Sequence, residues 1–419
     1  MRISKIISGI LAVMLGGMAG LYAQNGTMTP YSRYGYGMLN DNATSAQRAM
    51  GGVGYAMSSG RQTNVMNPAS YAAIDSLTFL FDMGIGLTSM WQEETVDGKM
   101  NKDKDFGGGL DYITMQFPVT KYLGASVGIL PYSSVGYASG SEIEHGATSR
   151  QGSGSINQLY VGLAGKVYKG LSVGFNVAYL FGTTLNDSYA YTNNGSTSLF
   201  ERELDVRDWR MDLGIQYGFN INRKNRIGLG VVYSPKKDLH GHLKTYAYDI
   251  QEEITPTEQE DIPLKGNFSI AESWGAGISW EWDKRLLVET DFTYQPWSKT
   301  KYRGVMQDGS DAQLADRYKI AAGMQFTPKL RGNYFEVVRY RCGAFYNRDY
   351  LRILGNNVRD YGASIGFGLP VPSFKTLINI GLEWRHREAT PSSLIKENYL
   401  CITLGFNINE LWFRQSKIY

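Results

Sequence analysis

The most constraining feature of this 419-residue sequence is a repeated alternation between apolar and polar positions. In the run from Leu171 to Phe181, every second residue is apolar or aromatic, and the residues between them are mostly small or polar. A period of two residues is typical of a β-strand whose two faces meet different surroundings. The second face also carries charges, such as Arg210 and Asp212, and is therefore too polar to form a packed core.

About fourteen such segments follow one another from residue 77 onward. Their apolar stretches of about nine to eleven residues suit strands tilted across a bilayer, and an even strand number is typical of single-chain outer-membrane barrels. The predicted spans are 77–91, 107–119, 121–141, 148–168, 170–191, 200–221, 225–248, 258–281, 285–305, 309–327, 333–349, 353–370, 375–390 and 394–414. A β-sandwich or propeller is the alternative, but its strands would each bury one face in a dry core. We therefore predict an all-β fold, a transmembrane antiparallel β-barrel over 77–419.

The connections between the segments alternate in length. Short polar turns are predicted at Val119–Lys121, Tyr168–Gly170, Asn222–Asn225, Trp282–Arg285, Pro328–Gly332 and Pro372–Lys375. Longer polar loops are predicted at Gln92–Phe106, Asn186–Glu203 and Lys244–Pro263. Outer-membrane barrels show this pattern, with the short turns facing the periplasm, and the chain ends on an aromatic residue, Tyr419, as they commonly do.

Composition agrees with a barrel and excludes several other classes. The mean hydropathy is -0.28, and no apolar run long enough for a membrane helix follows the first two dozen residues. The 49 Gly and 29 Tyr suit crowded strand faces and aromatic girdles at the membrane surfaces. The net charge is only +3 and no basic cluster dominates, so we expect no nucleic-acid partner.

The first 23 residues have the layout of a secretory signal peptide. Arg2 and Lys5 precede an apolar run from Ile6 to Met18, and a small residue, Ala23, ends the segment. A membrane anchor is the alternative, but the run is short and is followed by glycines. We expect export with cleavage of residues 1–23, and location in the outer membrane of a Gram-negative bacterium.

Residues 24–76 lack the alternation and form a separate unit before the first strand. Asn67 followed by Pro68 is typical of a helix start, since the Asn side chain caps free amides and Pro tolerates the first helical position. The glycines from Gly51 to Gly54 lack the spacing of a phosphate-binding loop and are better explained by tight turns. A fourteen-stranded barrel is wide enough to hold such a segment, so we predict an N-terminal hatch, or plug, in the lumen.

Several motifs together resemble a known family. They are the run from Ser45 to Gly54, the Asn67-Pro68-Ala69 motif directly before the strands, and about fourteen strands that end on an aromatic residue. The chain resembles the FadL family of outer-membrane transporters for hydrophobic compounds, and Pro30–Gly35 is similar to the branch common in Bacteroidota. The resemblance implies a lumenal hatch, an apolar ligand pocket, and a kink in the third strand that opens a lateral gap. Pro131 lies in the third predicted strand and is where we expect this kink, with an ordinary bulge above the membrane as the alternative.

The resemblance also suggests a function and the residues that carry it. A hydrophobic small molecule such as a long-chain fatty acid would reach a pocket against the hatch and leave sideways into the membrane lipids when the hatch shifts. The predicted hatch-side ligand contacts are Met50, Val53, Tyr55, Met57 and Met66, which could equally be the core of the hatch itself. Alternation predicts lumenal charges at Arg210, Asp212, Glu289, Asp291, Arg339, Arg341, Glu383 and Arg385. These charges either pair with each other or use their arginines to hold a ligand carboxylate.

Enzymatic chemistry is not expected. His240, His242 and His386 lack an evident nucleophile and carboxylate partner, so we expect no catalytic residue, no metal site and no cofactor. The alternative to transport is a barrel without transport activity that serves as a structural or docking subunit of an outer-membrane assembly or secretion complex. In that case its partners are other outer-membrane proteins, because one fold can host several functions.

Overall fold

The computed structural model describes residues 29–96, 99–143, 145–193, 195–250, 256–303, 312–371, 376–392 and 394–411. The predicted signal peptide at 1–23, the first residues of the predicted hatch, the turn at Pro372–Lys375 and the terminal Tyr419 lie outside these residues. Among the helices of the described part, none is long and apolar enough to cross a membrane.

The strands form one closed antiparallel barrel, as the alternation predicts. They are β1 (Thr78–Val96), β2 (Lys99–Pro118), β3 (Leu123–Ser134 and Tyr137–Ile143), β4 (Gly146–Tyr168), β5 (Leu171–Thr192), β6 (Thr197–Asn220), β7 (Asn225–Ser234 and Gly241–Ile250), β8 (Pro256–Pro263 and Ser273–Trp282), β9 (Leu286–Gln295), β10 (Ala312–Leu314 and Arg317–Phe326), β11 (Arg339–Ile353), β12 (Asn356–Pro370), β13 (Leu377–Thr390) and β14 (Ile395–Leu411). The first and last strands close the barrel, since β1 pairs with β14 from Thr78 opposite Leu411 to Glu94 opposite Ile395.

The two faces of the strands differ as expected for a barrel in lipid. On β6, Met211 and Ile215 are exposed on the outside, whereas Asp212 and Gln216 are buried on the inside. Apolar side chains that point outward match the hydrocarbon of a bilayer, and polar side chains that point inward are paired with other polar groups. The alternation in the sequence therefore identifies the two faces correctly.

Three predicted spans or loops need correction. Tyr334–Val337 is a helical turn capped by Asn333 and Glu336, so the strand predicted at 333–349 begins only at Arg339. The strand predicted at 285–305 ends at Gln295, before a 3-10 turn at Trp297–Lys299. The predicted long loops are largely strand: β5 and β6, for example, pair continuously up to Tyr191 opposite Thr197. These extensions are polar on both faces. Only a strand that faces lipid must alternate between apolar and polar residues, so the sequence does not show them as strands.

The interior also contains an apolar core that the polar face did not predict. Tyr36 from the N-terminal residues packs with Trp297, Phe268 and Tyr350, which come from the barrel and its connections. Fully buried aliphatic residues such as Leu239 and Leu264 extend this cluster. The inward-facing residues near the long-hairpin end are therefore apolar and tightly packed, and the polar lumen is confined to other levels of the barrel.

Between Thr29 and the first strand, the described chain forms four short elements. These are a 3-10 helix at Pro30–Arg33, a two-residue strand at Met38–Leu39, helix α1 at Ser45–Arg48, and a second 3-10 helix at Pro68–Ala73. The strand Met38–Leu39 pairs with Ser134 and Ser133 of β3. Most residues from Thr29 to Ile74 are buried, and their contacts are with the inward faces of the strands. We refer to Thr29–Ile74 as the N-terminal segment.

Candidate functional site

Two carboxylates on β9 fasten the middle of the N-terminal segment to the barrel wall. Asp291 accepts hydrogen bonds from the backbone N–H groups of Gly54 and Tyr55, at 2.7 and 2.9 Å. Glu289 accepts from those of Ala56 and Met57, at 2.7 and 3.0 Å. Glu289 and Asp291 lie two residues apart and so share one face of the strand. Four consecutive amides without secondary-structure partners thereby donate to carboxyl oxygens of the strand, so none of them is left buried without an acceptor.

The Asn67-Pro68-Ala69 motif folds as its sequence predicts and adds contacts of its own. Asn67 caps the 3-10 helix, its side chain accepting from the N–H of Ala69 at 3.0 Å, and Pro68 occupies the first helical turn. The Asn67 amide also donates to the carbonyls of Tyr55 and Ile215, at 2.7 and 3.2 Å. The motif therefore joins two parts of the N-terminal segment to β6.

Glycines on the inner face of the strands let the segment lie directly against the wall. A Cβ atom at Gly323 on β10 would lie 2.1 Å from the Met50 carbonyl oxygen, and one at Gly343 on β11 would lie 2.1 Å from the Met50 carbonyl carbon. A Cβ at Gly230 on β7 would meet the Tyr55 carbonyl oxygen at 1.9 Å. Backbone packed this closely tolerates only hydrogen at these positions.

A third contact between the N-terminal segment and the strands involves Asp41, which the sequence alone did not identify. Its carboxylate pairs with Arg317 at 3.0 Å and with Lys319 at 2.5 Å, both on β10. The two neighbouring cations lower the pKa of Asp41 well below its usual range, although burial acts in the opposite direction. At neutral pH the Asp41 carboxylate is therefore fully charged.

The residues predicted as hatch-side ligand contacts face the barrel wall. Met50, Val53 and Met57 form a buried cluster with Ala321 and Phe345 of the strands. Tyr55, also predicted as a ligand contact, donates to or accepts from Thr293 at 2.9 Å. Met66, the fifth predicted contact, is 9% exposed and lines a small polar cavity. The arrangement agrees with the alternative reading in which these residues are the packing core of the segment, and ligand contact by them stays a prediction.

Four of the eight predicted lumenal charges form two ion pairs, and Arg341 binds neutral side chains. Arg210 donates to Asp212 at 2.8 Å, and Arg385 donates to Glu383 at 2.7 Å. Arg341 donates to the side-chain oxygens of Gln325 and Asn379, at 2.9 and 2.7 Å. Pairs of this kind offset the cost of burying charge and leave few free cations for a ligand carboxylate.

Arg339 differs from the other predicted lumenal charges. It begins β11 near the short-turn end and is partly buried, and no hydrogen bond or ion pair of its side chain is found in the described residues. It therefore does not belong to the paired network.

Sequence reasoning missed a second group of lumenal charges. Arg387 lies 3.9 Å from Glu397 and 3.9 Å from Asp360, and Glu397 accepts a hydrogen bond from Thr29 at 2.7 Å. Arg387 shares the strand face of Glu383 and Arg385, so the same alternation could have identified it. Asp41 lies in a segment without periodicity, and no sequence signal marks it.

The wall is interrupted between β2 and β3. Among the described residues, the ladder joining these strands runs from Pro118 opposite Gly124 to Ile113 opposite Ile129 and extends no further. Pro131 follows directly, at a register shift in the pairing of β3 with β4. The predicted kink position therefore coincides with the end of the ladder, and Met38–Leu39 occupies the free edge of β3 beyond it.

A cavity of about 420 Å³ lies behind this interruption. Its lining includes Pro131 and the glycines Gly107–Gly109 of β2, next to the gap. Charged side chains also line it, among them Asp41, Arg48, Lys319, Glu383, Arg385 and Arg387. A cavity with these walls holds water and ions readily, whereas binding a purely apolar compound would leave the charges poorly solvated.

The histidines have partners that explain them. His242 and Asp261 are 2.8 Å apart on the barrel surface, and His240 lies 3.3 Å from Asp208. His386 lies 2.9 Å from the side-chain oxygen of Asn398. None of these contacts places a nucleophile beside the imidazole.

The closed fourteen-stranded barrel is a fold that this chain shares with FadL-type channels of known structure. Solved structures with this fold include the CymD monoaromatic hydrocarbon channel, with TM-score 0.59 and 15% identity over 90% of this chain and 100% of that one. A Pseudomonas aeruginosa FadL homologue matches with TM-score 0.58 and 11% identity over 89% of this chain and 98% of that one. The toluene transporter TodX of P. putida matches with TM-score 0.58 and 15% identity over 90% and 100%. At such identities the similarity establishes the fold.

The family is established by the sequence itself. The model of the BamG family matches residues 3–419, which is nearly the whole chain, and this protein belongs to the BamG family. No curated protein matches the sequence.

Proposed function

We propose that this protein is an outer-membrane barrel without transport activity, which serves as a subunit of an outer-membrane protein assembly complex. The observation that carries the proposal is the occupied interior. The apolar core around Tyr36 and Trp297 fills one level of the barrel, and the cavity that remains is lined by paired charges. A transporter of hydrophobic compounds needs a continuous apolar path, and an interior of this kind does not favour one.

The fixed position of the N-terminal segment supports the same function. Its contacts with Glu289, Asp291 and the strand glycines are numerous and buried, so a shift of the segment would break several hydrogen bonds at once. We infer that the segment acts as a permanent plug that stiffens the barrel. Membership of the BamG family agrees with a role in assembly.

Isolation of the tagged protein from outer membranes in mild detergent tests the proposal. We expect one stable protein partner in a fixed ratio, and no lipid-like molecule in the barrel interior by native mass spectrometry. An unrelated tagged barrel expressed at the same level controls for incidental capture. Isolation of the chain alone with a bound hydrophobic compound would contradict the proposal and favour transport.

The gap between β2 and β3 favours a second candidate, the uptake of a hydrophobic compound with lateral exit. In this case Pro131 borders the exit and the cavity behind it is the last binding place. Uptake of a radiolabelled long-chain fatty acid by cells with and without the protein tests this function directly. If transport occurs, substitution of Asn67 or Pro68 should alter it, and normal uptake by a normally folded variant would exclude gating by the segment.

A further inference from the structure

A second cavity, of about 560 Å³, opens at the short-turn end of the barrel. The ends of β4 to β7 form its sides, and Ala56, Ser58 and Gly60 of the N-terminal segment close it toward the barrel interior. Because short turns face the periplasm in outer-membrane barrels, we call this cavity the periplasmic mouth.

Every charged residue that lines the periplasmic mouth is a cation. These residues are Lys166 on β4, Lys169 in the following turn, and Arg226 on β7. In the part of the chain that the structure describes, none of the three forms an ion pair with a carboxylate. The charges of the deeper cavity, in contrast, are matched by Asp41 and Glu383. Glu281 of β8 lies opposite Arg226 in the ladder but forms no ion pair with it. Clustered cations that ion pairs do not neutralise create a positive potential that attracts an anionic partner.

The remaining lining suits a peptide. Tyr122 and Tyr168 are exposed around the opening, and aromatic residues of this kind are enriched where proteins bind one another. Gln216 on the inner wall already donates to the carbonyls of Tyr55 and Met57, so the floor of the mouth is polar but satisfied. An incoming chain would meet apolar rings at the rim and cations within.

We propose that the periplasmic mouth binds an acidic peptide segment of a periplasmic partner protein. The proposal rests on the proposed function, because it gives a binding site to a subunit of an assembly complex. An anionic lipid fits less well, since its headgroup stays in the leaflet outside the wall, whereas Lys166 and Arg226 line a space bounded by the N-terminal segment. A peptide can enter this space along the barrel axis.

Binding of a fluorescent glutamate-rich peptide to the purified protein tests the site. We expect the double variant Lys166→Glu/Arg226→Glu to weaken binding about tenfold or more, and binding to the unaltered protein to fall steeply at about 1 M salt, where the Debye length is about 3 Å. The milder Lys166→Gln/Arg226→Gln variant gives the same comparison if charge reversal impairs folding.

The matched control removes two exposed cations from other turns of the same rim, as Lys284→Gln/Arg331→Gln. These residues do not line the mouth, so binding should change less than twofold. Equal losses in the mouth and control variants would overturn the proposal in favour of general attraction to a basic rim. Preferential binding of anionic phosphatidylglycerol vesicles over the peptide, lost in the mouth variant, would overturn it in favour of a lipid headgroup.

Co-isolation of the natural partner separates this inference from the proposed function. If unaltered protein yields no partner, the proposed function fails. If the partner is recovered equally well with the mouth variant and the unaltered protein, only the site fails. Loss of the partner from the mouth variant alone supports both.

Discussion

The two sides of the barrel interior differ in how closely the N-terminal segment meets the wall. On β10, a Cβ atom at Gly323 would lie 2.1 Å from the Met50 carbonyl oxygen, whereas on β2 a Cβ at Gly109 would have no atom within 4 Å. The ladder between β2 and β3 ends at Ile113 and Ile129, on this same open side. The segment thus packs directly against β10, whereas a water-accessible cavity lies beside Gly107–Gly109 of β2. The contact with β2 is a polar one, since Arg48 pairs with Asp111 at 2.9 Å.

This difference shows that a gap in the wall and a movable plug are separate properties. The interruption at Pro131 resembles an exit, but the segment behind it is held to β9 by hydrogen bonds to the carboxyl groups of Glu289 and Asp291. The wall of a barrel can therefore be interrupted while the segment inside it is held in place.

The largest effect is expected when the β9 carboxylates are removed. Glu289→Leu/Asp291→Leu leaves the N–H groups of Gly54 to Met57 without acceptors, at a cost of about 4 kcal/mol or more in total. The barrel should still migrate as a folded species in unheated gels, while trypsin cuts after Arg48 in the N-terminal segment. Thr290→Leu, on the outer face between the two carboxylates, is the control. Equal cleavage of the control variant would show that the carboxylates do not hold the segment.

Substitution of the inward-facing glycines Gly323 and Gly109 should have a second, smaller effect on stability. Gly323→Ala forces a methyl group against the Met50 backbone, and we expect a loss of about 1–3 kcal/mol in stability, seen as a lower temperature of barrel unfolding in gels. Gly109→Ala adds the same atom in open space and should change stability by less than about 0.5 kcal/mol. Similar losses in both variants would mean that the two sides are packed alike.

Asp41 should contribute only about 1 kcal/mol to the free energy of unfolding. Its side chain is 34% exposed, and solvent weakens its ion pairs with Arg317 and Lys319. The pKa of Asp41 is lowered in the folded protein, so its stabilisation is present above the unfolded value of about 3.9 and is lost as the pH falls toward the folded value. The unfolding temperature of Asp41→Asn should therefore lie below that of the unaltered protein at pH 7. The difference should shrink below about pH 4, and a difference that is constant with pH would contradict the ion-pair account.

The smallest effect is expected at Pro131. Substitution by Ala supplies a missing N–H group, but Met38–Leu39 already pairs with Ser134 and Ser133 on the edge that β2 would need. Stability should change by less than about 0.5 kcal/mol, and hydrogen exchange along Lys99–Asp111 of β2 should stay as fast as before. New protection in this part of β2 would show that Pro131 alone keeps the wall open.

The sequence predicts the barrel well because the membrane imposes a strict pattern. Met211 and Ile215 must face lipid while Asp212 and Gln216 face inward, so alternation reports both strand and orientation. Beyond the membrane this constraint ends, which is why Asn186–Glu203 resembled a loop although β5 and β6 pair within it as far as Tyr191 opposite Thr197. Only the tip of such a hairpin needs turn residues. Its two strands are polar on both faces there, so their sequences show no alternation.

The interior is less predictable because its contacts join residues far apart in the chain. Glu289 and Asp291 could be assigned to the lumen by position, but not to the amides of Gly54–Met57, which lie more than two hundred residues earlier. Asp41 lacks any local pattern. Arg387 is the exception, since it continues the lumenal face of Glu383 and Arg385 and could have been found by extending it.

The bare inner faces at Gly230, Gly323 and Gly343 also limit how the family can diverge. Each glycine leaves room for the backbone of the N-terminal segment at Tyr55 or Met50. A larger residue in the strand therefore requires a change in the path of the segment. A chimaera that joins this barrel to the first residues of a distant relative should therefore assemble poorly, even though both halves share one architecture. The N-terminal segment and the barrel wall therefore fit each other as one structural unit.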